Sequence, residues 1–543
     1  MITHLFSYTS SPKKIRTGLL RFLAMLLVFA ALCGCSSDSG DQLILKYNVD
    51  APAVTLDPQL AFDNTSVTLI ENCFEGLLRI DSNGDISPAA AESYTVSNNG
   101  LIYTFTLKDN LTWNDGETPL TVYDFEFAFE RLLSPETNSP HADNYLCIKN
   151  AEKCLNGESP VTALGVTATQ KTITFVLEYA NPYFTYLLAS TSAMPCNRTF
   201  FEQTRGKYGK NLTNTLFNGP FEPRTYKENR YYLLRQNTHY HTPVPAFGIN
   251  IYITDKTTVE RLQSKNADIA KISNSDIALL DTDRFTIHRF EDTSWVVAFN
   301  TAAYPMNSYY LRMALALSLE TENIDGFLKS ANYRPAAALI PGATEVFDEN
   351  YRQLAGEKLT LKKDVFAAKE YLNLAYDELV SGLPKLTLLC PDNDEMALLC
   401  GKLQSDWQQN IALFVNVERV AREELDSRIA SGNYQLALIP VTASYNNPAA
   451  FLGEFLSAEN ICRYGAGDGY AQTFAEALLQ PDPADTAALY RRLETELIEN
   501  AVLIPMFYET SAYAVSSDLT GLGYRAFSDT LYFGYAQTTE TDK

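Results

Sequence analysis

Residues 113–132 read WNDGETPLTVYDFEFAFERL. Trp113-Asn-Asp-Gly116 is a turn signal, because Asn and Asp side chains bond their own backbone and Gly accepts a positive φ. Just upstream, Ile102–Leu107 alternates apolar and polar residues, as a half-buried strand does. Just downstream, Thr121-Val-Tyr-Asp124 is a capping-box variant that predicts a helix through Leu133. Strand, turn and capped helix therefore follow one another within about thirty residues. The same alternation recurs at Leu43–Val49, Thr172–Leu177, Asn250–Thr254, Trp295–Phe299 and Leu413–Val417.

Helical patterns separate these strands. Asp482-Pro-Ala-Asp485 supplies an N-cap, a first-turn proline and an acid at the positive end of a helix. Leu489, Leu493 and Leu497 then share one face. Phe366–Leu379, Glu395–Asn410 and Glu423–Ser431 read as helices between strands at Lys385–Leu389, Leu413–Val417 and Tyr434–Ile439. Such alternation builds a mainly parallel sheet with helices on its faces, and the fold class predicted is α/β.

The chain has 543 residues, enough for two or three domains, and a hydrophobic fraction of 46%. Its net charge is −22. A surface this acidic repels phosphate backbones and anionic bilayers, so no nucleic-acid partner is expected. The start is different. Lys13, Lys14, Arg16 and Arg21 precede an apolar run, Phe22–Leu32. The run is too short to span a bilayer and fits the apolar core of a secretory signal. It ends at Leu32-Cys-Gly-Cys35, which resembles a bacterial lipobox and implies a diacylated Cys35 as the mature N-terminus. Residues 36–41 then read as a flexible tether, and two acyl chains suffice for a stable anchor.

Motifs for chemistry are mostly missing. There is no phosphate-binding loop, GxSxG elbow or HExxH helix. Gly465-Ala-Gly-Asp-Gly469 lacks the dinucleotide order and reads as a loop. Asp81-Ser-Asn-Gly-Asp85 opens like a calcium loop but has Ile86 where the sixth-position glycine belongs, so it reads as a turn. His239 and His241 have no further ligands nearby in sequence, and no metal or cofactor is predicted. Seven cysteines lie beyond the lipobox, and an odd number is no disulfide framework. Cys147/Cys154 and Cys390/Cys400 could each close a short loop, the alternative being buried free thiols.

An ordered series of segments carries a family likeness. It runs from Leu56-Asp-Pro58 through Glu71-Asn-Cys-Phe-Glu-Gly-Leu-Leu78, Pro88-Ala-Ala-Ala-Glu-Ser93 and Tyr103-Thr-Phe-Thr-Leu-Lys108. It continues through Trp113–Phe125 and Arg131 to Asn218-Gly-Pro-Phe221, Phe299-Asn-Thr301, Arg312-Met-Ala-Leu315, Pro341 and Ile504-Pro-Met-Phe-Tyr508. The series resembles the oligopeptide/dipeptide-binding proteins of ABC importers, the bacterial extracellular solute-binding proteins of family 5.

The resemblance implies a two-lobed periplasmic-binding-protein-like clamshell of type II with an extra inserted subdomain. It divides the chain into a signal (1–34), a tether (35–41), a first lobe (42–80, 218–291 and 505–543), the insertion (81–217) and a second lobe (292–504). It implies a monomeric, lipid-anchored receptor on the extracytoplasmic face. Such a receptor captures a small peptide or related solute between closing lobes and delivers it to ABC permease subunits, with no catalytic residue. A ligand-sensing or adhesion lipoprotein that kept the fold without transport is the alternative, and a peptidase-like enzyme a weaker one.

The resemblance also nominates ligand contacts. Ser294 and Trp295 lie on the strand entering the second lobe, and Tyr145 lies on the insertion. Ser444, Tyr445 and Asn446 lie in a segment matching the family's Ala-Asp-Tyr-x-x-Pro. There the family aspartate pairs with a peptide's α-ammonium. Ser444 is neutral and cannot compensate a buried charge. The expectation is a ligand whose N-terminal charge contributes little to binding.

Overall fold

The computed structural model describes residues 42–539 apart from 50, 82–84, 182, 255–257, 273, 282, 323–327, 329–331, 348, 357, 381, 444, 524–526 and 528–530. Cys35, the signal and the tether (36–41) lie outside the described residues. The helix predicted after Thr121 runs Val122–Leu132, and the Asp124 carboxylate accepts the Thr121 backbone N–H at 2.7 Å. The turn before it needs its glycine twice over. Gly116 has φ +71°, and the His239 ring occupies the place where a Cβ would stand.

This helix covers a four-stranded antiparallel sheet, in the order Ala91–Val96, Ile102–Leu107, Thr172–Val176, Val166–Thr169. Phe129 of the helix meets Phe175 of the sheet edge-on at 4.9 Å between centroids. One buried ion pair ties this subdomain to the start of the chain. Arg131 donates to both oxygens of Asp57, at 3.1 and 2.5 Å, and to Gln59 Oε1 at 2.6 Å. The Arg131 guanidinium also lies 4.3 Å from the centre of the Phe201 ring.

A second four-stranded sheet follows the order Ile44–Val49, Gly248–Ile253, Tyr231–Gln236, Phe221–Lys227. Its first pair is parallel and the others antiparallel. The third and largest sheet follows the path Ile269–Ile272, Leu503–Ser516, Phe285–Phe299, Leu436–Val441, Leu386–Pro391, Val415–Val420, and Tyr333–Pro335 joins it on Leu503–Ser516. Its last three strands are mutually parallel, as the helix–strand alternation predicted. Alternate residues serve two cores. Trp295, Val297 and Phe299 face one, while Val296 and Ala298 face the other.

Two long antiparallel strands, Phe285–Phe299 and Leu503–Ser516, run through this sheet together. Ile269–Ile272 pairs with the far half of one, at Ala512–Val515. Leu436–Val441 pairs with the far half of the other, at Ser294–Phe299. The two strands thus connect the lobes, and the architecture is the α/β two-lobed clamshell with an inserted subdomain.

Two readings change in detail. Trp295–Phe299 is only the end of a 15-residue strand; its earlier half, Phe285–Asp292, lacks apolar alternation because only its ends are buried. Gly465–Gly469 is not wholly a loop, since Gly467 caps the helix Asp468–Leu479 and the last two residues belong to that helix. Among the described residues no helix is long and apolar enough to cross a membrane.

Truncating Arg131 to Ala leaves the Asp57 carboxylate buried without its cation, a loss of about 3–5 kcal/mol. Urea unfolding of Arg131→Ala measures it as a lower midpoint at an unchanged slope. An unchanged midpoint would show that water already screens the pair.

Candidate functional site

Between Glu291 and Thr293 the register of the two connecting strands shifts, as at a β-bulge. Asp292 sits there, buried, and its Oδ1 accepts from Ser511 Oγ at 2.8 Å. Glu291 accepts two N–H groups of Arg334, at 2.8 and 2.7 Å, and the Gly342 N–H at 3.1 Å. Gly342 comes so close that a Cβ would collide with the Glu291 carboxylate.

The segment around Gly342 leads directly to the nominated cleft residues. Glu345 N–H donates to Asn446 Oδ1 at 3.1 Å, Asn446 Nδ2 donates back to Glu345 Oε2 at 3.0 Å, and Asn447 Nδ2 donates to Glu345 O at 3.1 Å. A buried carboxylate fixes the other side of this segment. Glu494, on the helix Pro483–Glu499, accepts from Ile340 N at 2.8 Å, and Arg352 Nη2 donates to both of its carboxylate oxygens, at 2.8 and 2.6 Å.

Tyr445 packs against the segment around Tyr183 and Tyr186. Its ring stacks on Tyr183 (5.7 Å, 29°) and on Tyr186 (6.3 Å, 23°). Tyr490 donates its hydroxyl to that of Tyr183 at 3.4 Å. Burial pushes the Tyr445 phenol well above its ordinary value, so the ring is a neutral, amphipathic wall at any physiological pH. Tyr183, Tyr186 and Tyr490 were not found from sequence. The available signal was weak: Tyr183 and Tyr186 are three apart, on one face of the short helix Phe184–Leu188 and its cap.

The nominated residues separate in the structure. Ser294 is fully buried, opposite Val441 in register, and its hydroxyl has no hydrogen-bond partner. Tyr445 and Asn446 are half-buried. Trp295 lies in a hydrophobic core, stacked on Phe507 at 5.5 Å, and its Nε1–H donates to Glu509 Oε2 at 2.7 Å. Tyr145 has no exposed surface, and its hydroxyl is shared among Leu187 O, Ser190 Oγ and Ser192 Oγ at 2.8–2.9 Å. Both aromatic side chains are engaged in packing and Ser294 is fully buried, which leaves Tyr445 and Asn446 as the half-buried ones. Ser444 lies outside the described residues.

Neither histidine of the 239–241 pair has a metal-like setting. His241 Nε2 contacts Glu75 Oε1 at 2.6 Å, and His239 packs over Gly116. Among the described residues no group of three or more His, Cys, Asp or Glu could hold a metal ion.

A sequence profile described as bacterial extracellular solute-binding proteins, family 5 Middle, matches residues 85–461. The chain is 26% identical over 504 residues to the oligopeptide-binding protein OppA of Bacillus subtilis (strain 168), covering 89% of this chain and 91% of that protein. It is 27% identical over 503 residues to the probable deoxycholate-binding periplasmic protein YgiS of Escherichia coli (strain K12), with 89% and 91% covered. The crystal structure of the substrate-binding domain of an oligopeptide ABC transporter from Bacillus anthracis str. Ames superposes with a TM-score of 0.74 at 26% identity, covering 92% of this chain and all of that one.

Burial is the largest influence on Glu509 and raises its carboxyl above the ordinary 4.5; Asp292 adds to this, while the Trp295 N–H and Lys271 oppose it. A raised carboxyl favours the folded state in acid, and that contribution is lost as pH rises through its folded value. Glu509→Gln removes the loss, so the variant gains stability relative to the native chain between acid and neutral pH. Urea midpoints at several pH values measure this, and parallel curves would count against it.

Proposed function

Because this chain belongs to the bacterial extracellular solute-binding proteins of family 5, we propose that it is a lipid-anchored receptor of an ABC importer. It captures a peptide or related small solute between its lobes and presents it to permease subunits. The observation that carries this reading is the pairing of two connecting strands, irregular at Glu291–Thr293, with a tyrosine seam between Tyr445 and the 183–186 segment. Lobes joined this way can open and close about the strand pair, and Tyr445 against Tyr183 and Tyr186 offers a contact made on closing.

Within the cleft, the Tyr445 ring and the Asn446 amide are the groups proposed to meet ligand. A peptide would lie extended, with its main chain hydrogen-bonded to strand edges and its side chains in hydrated pockets. Binding and release require no bond chemistry, in keeping with a receptor that is not an enzyme.

A second reading concerns the ligand. The relative described as deoxycholate-binding is as similar to this chain as the peptide-binding one. Ser444, Asn446 and Asn447 are all neutral. A blocked peptide or an amphipathic non-peptide solute therefore fits the same cleft.

Calorimetry with a bound peptide and its N-acetylated twin tests both readings. Similar affinities are expected. A hundredfold loss on acetylation, about 2.7 kcal/mol, would show that some other acid holds the ammonium. If no peptide binds, mass spectrometry of solutes that co-purify decides for the non-peptide reading.

The anchor is tested separately. Cys35→Ser is expected to move the protein from the membrane fraction to the soluble or unprocessed one, because the acyl chains are the proposed attachment. A processed Cys35→Ser protein that stays with the membrane would refute it.

A further inference from the structure

The helix Pro483–Glu499 borders a hollow of about 580 Å³ whose lining shares no residue with the nominated cleft. Tyr309, Arg491, Arg492, Glu496, Glu499 and Asn500 stand in its wall. Its size falls within the range of small-molecule sites, about 300–1,000 Å³. Positions 492, 496 and 499 are spaced by four and three, so their side chains share one face of the helix.

Three arginines at this place have no carboxylate partner among the described residues. Arg312 is buried, and its Nε, Nη1 and Nη2 donate to Ala501 O, Met306 O and Asn500 O at 2.9, 2.7 and 3.1 Å. Arg491 donates to Ala355 O, Gly356 O and Lys358 O. Arg492 is exposed and has neither a hydrogen-bond nor an ion-pair partner among the described residues. Arg131 and Arg352, as buried as Arg312, each hold a carboxylate. In a chain of net charge −22 the hollow is therefore a local gathering of uncompensated cations.

Arg312 has a structural task, since it satisfies carbonyls at Asn500, the C-cap of the helix, and at Ala501. In doing so it offsets the negative end of the helix dipole. A helix end that ordinarily repels anions thus sits beside Arg491 and Arg492, which keep N–H donors to spare. Two carboxylates share the wall. Glu496 accepts the Tyr464 hydroxyl at 3.3 Å, and Glu499 is exposed without a hydrogen-bond or ion-pair partner among the described residues. A bare anion meets repulsion from both. An anion that carries hydroxyls donates to them while its charge meets the guanidinium forks.

Rings stand beside this polar wall. Tyr309 is half-buried and lies 5.8 Å from the Tyr310 ring and 6.1 Å from the Tyr371 ring, between centroids. A tyrosine ring offers an apolar face with a polar tip. A sugar ring divides in the same way, with C–H groups on its faces and hydroxyls on its rim.

We propose that this hollow is a second ligand site, one for a sugar phosphate. The phosphate lies between Arg491 and Arg492, the hydroxyls donate to Glu496, Glu499 and the Asn500 carboxamide oxygen, and Tyr309 meets one face of the sugar ring. The site does not rest on the receptor reading, because it uses none of the cleft residues.

Calorimetry of the full chain with glucose 6-phosphate, glucose and inorganic phosphate tests it. Glucose 6-phosphate is expected to bind about tenfold tighter than either of the others, and more weakly as salt is raised. Arg492→Glu reverses an exposed charge and is expected to cost about tenfold or more. Arg492→Lys keeps the charge without the planar fork and is expected to cost less. Urea midpoints equal to that of the native chain show that both variants are folded. No binding of glucose 6-phosphate, binding that Arg492→Glu leaves unchanged, or glucose bound as tightly as its phosphate would overturn the site. Inorganic phosphate bound as tightly would overturn the sugar. Tyr445→Ala is expected to leave this binding intact, and its loss there would place the sugar phosphate in the cleft instead.

Discussion

The pairing of Phe285–Phe299 with Leu503–Ser516 is the constraint on which the rest depends. Each strand is hydrogen-bonded to a different third strand along its far half. The same two strands therefore join Ile269–Ile272 and Leu436–Val441 into one sheet. The pairing tolerates two shifts of register, at Glu291/Thr293 and Trp295/Val296. Irregularity is thus concentrated where the two halves adjoin, and a ladder interrupted there bends more readily than a continuous one.

Residues that shape the cleft are tied to this strand pair through a short relay of polar contacts. Glu291 holds Arg334 and Gly342. Three residues further on, Glu345 holds Asn446 and Asn447. Glu494 anchors the preceding Ile340, and Arg352 beyond it, to a helix. The segment from Ile340 to Arg352 therefore couples the strand irregularity to the position of Tyr445. Ile340, Gly342, Glu345 and Arg352 are each held by a named polar partner along this stretch.

The Asp57–Arg131 pair shows how far apart in sequence such constraints reach. Both residues were visible as isolated elements of a family pattern, in Leu56-Asp-Pro58 and at Arg131. Their mutual contact was not, because 74 positions separate them. The same holds for Trp295 and Tyr145. Each was a reasonable cleft aromatic by position, yet the structure surrounds Trp295 with core and gives its N–H to Glu509, and it closes one carbonyl and two hydroxyls around the Tyr145 hydroxyl.

What the sequence determined by itself is what depends on near neighbours along the chain. The capped helix after Thr121, the strand at Ile102–Leu107, the helix behind Asp482 and the parallel unit from Leu386 to Val441 follow from periodicity, capping and turn chemistry. The ordered family segments were likewise legible, since they are linear. Only the tertiary structure decided which tyrosines meet Tyr445 and that Ser294 has an unpaired buried hydroxyl. Those facts are set by the packing of helices and strands remote in sequence, where burial and the directions of side chains, rather than spacing, choose the partners.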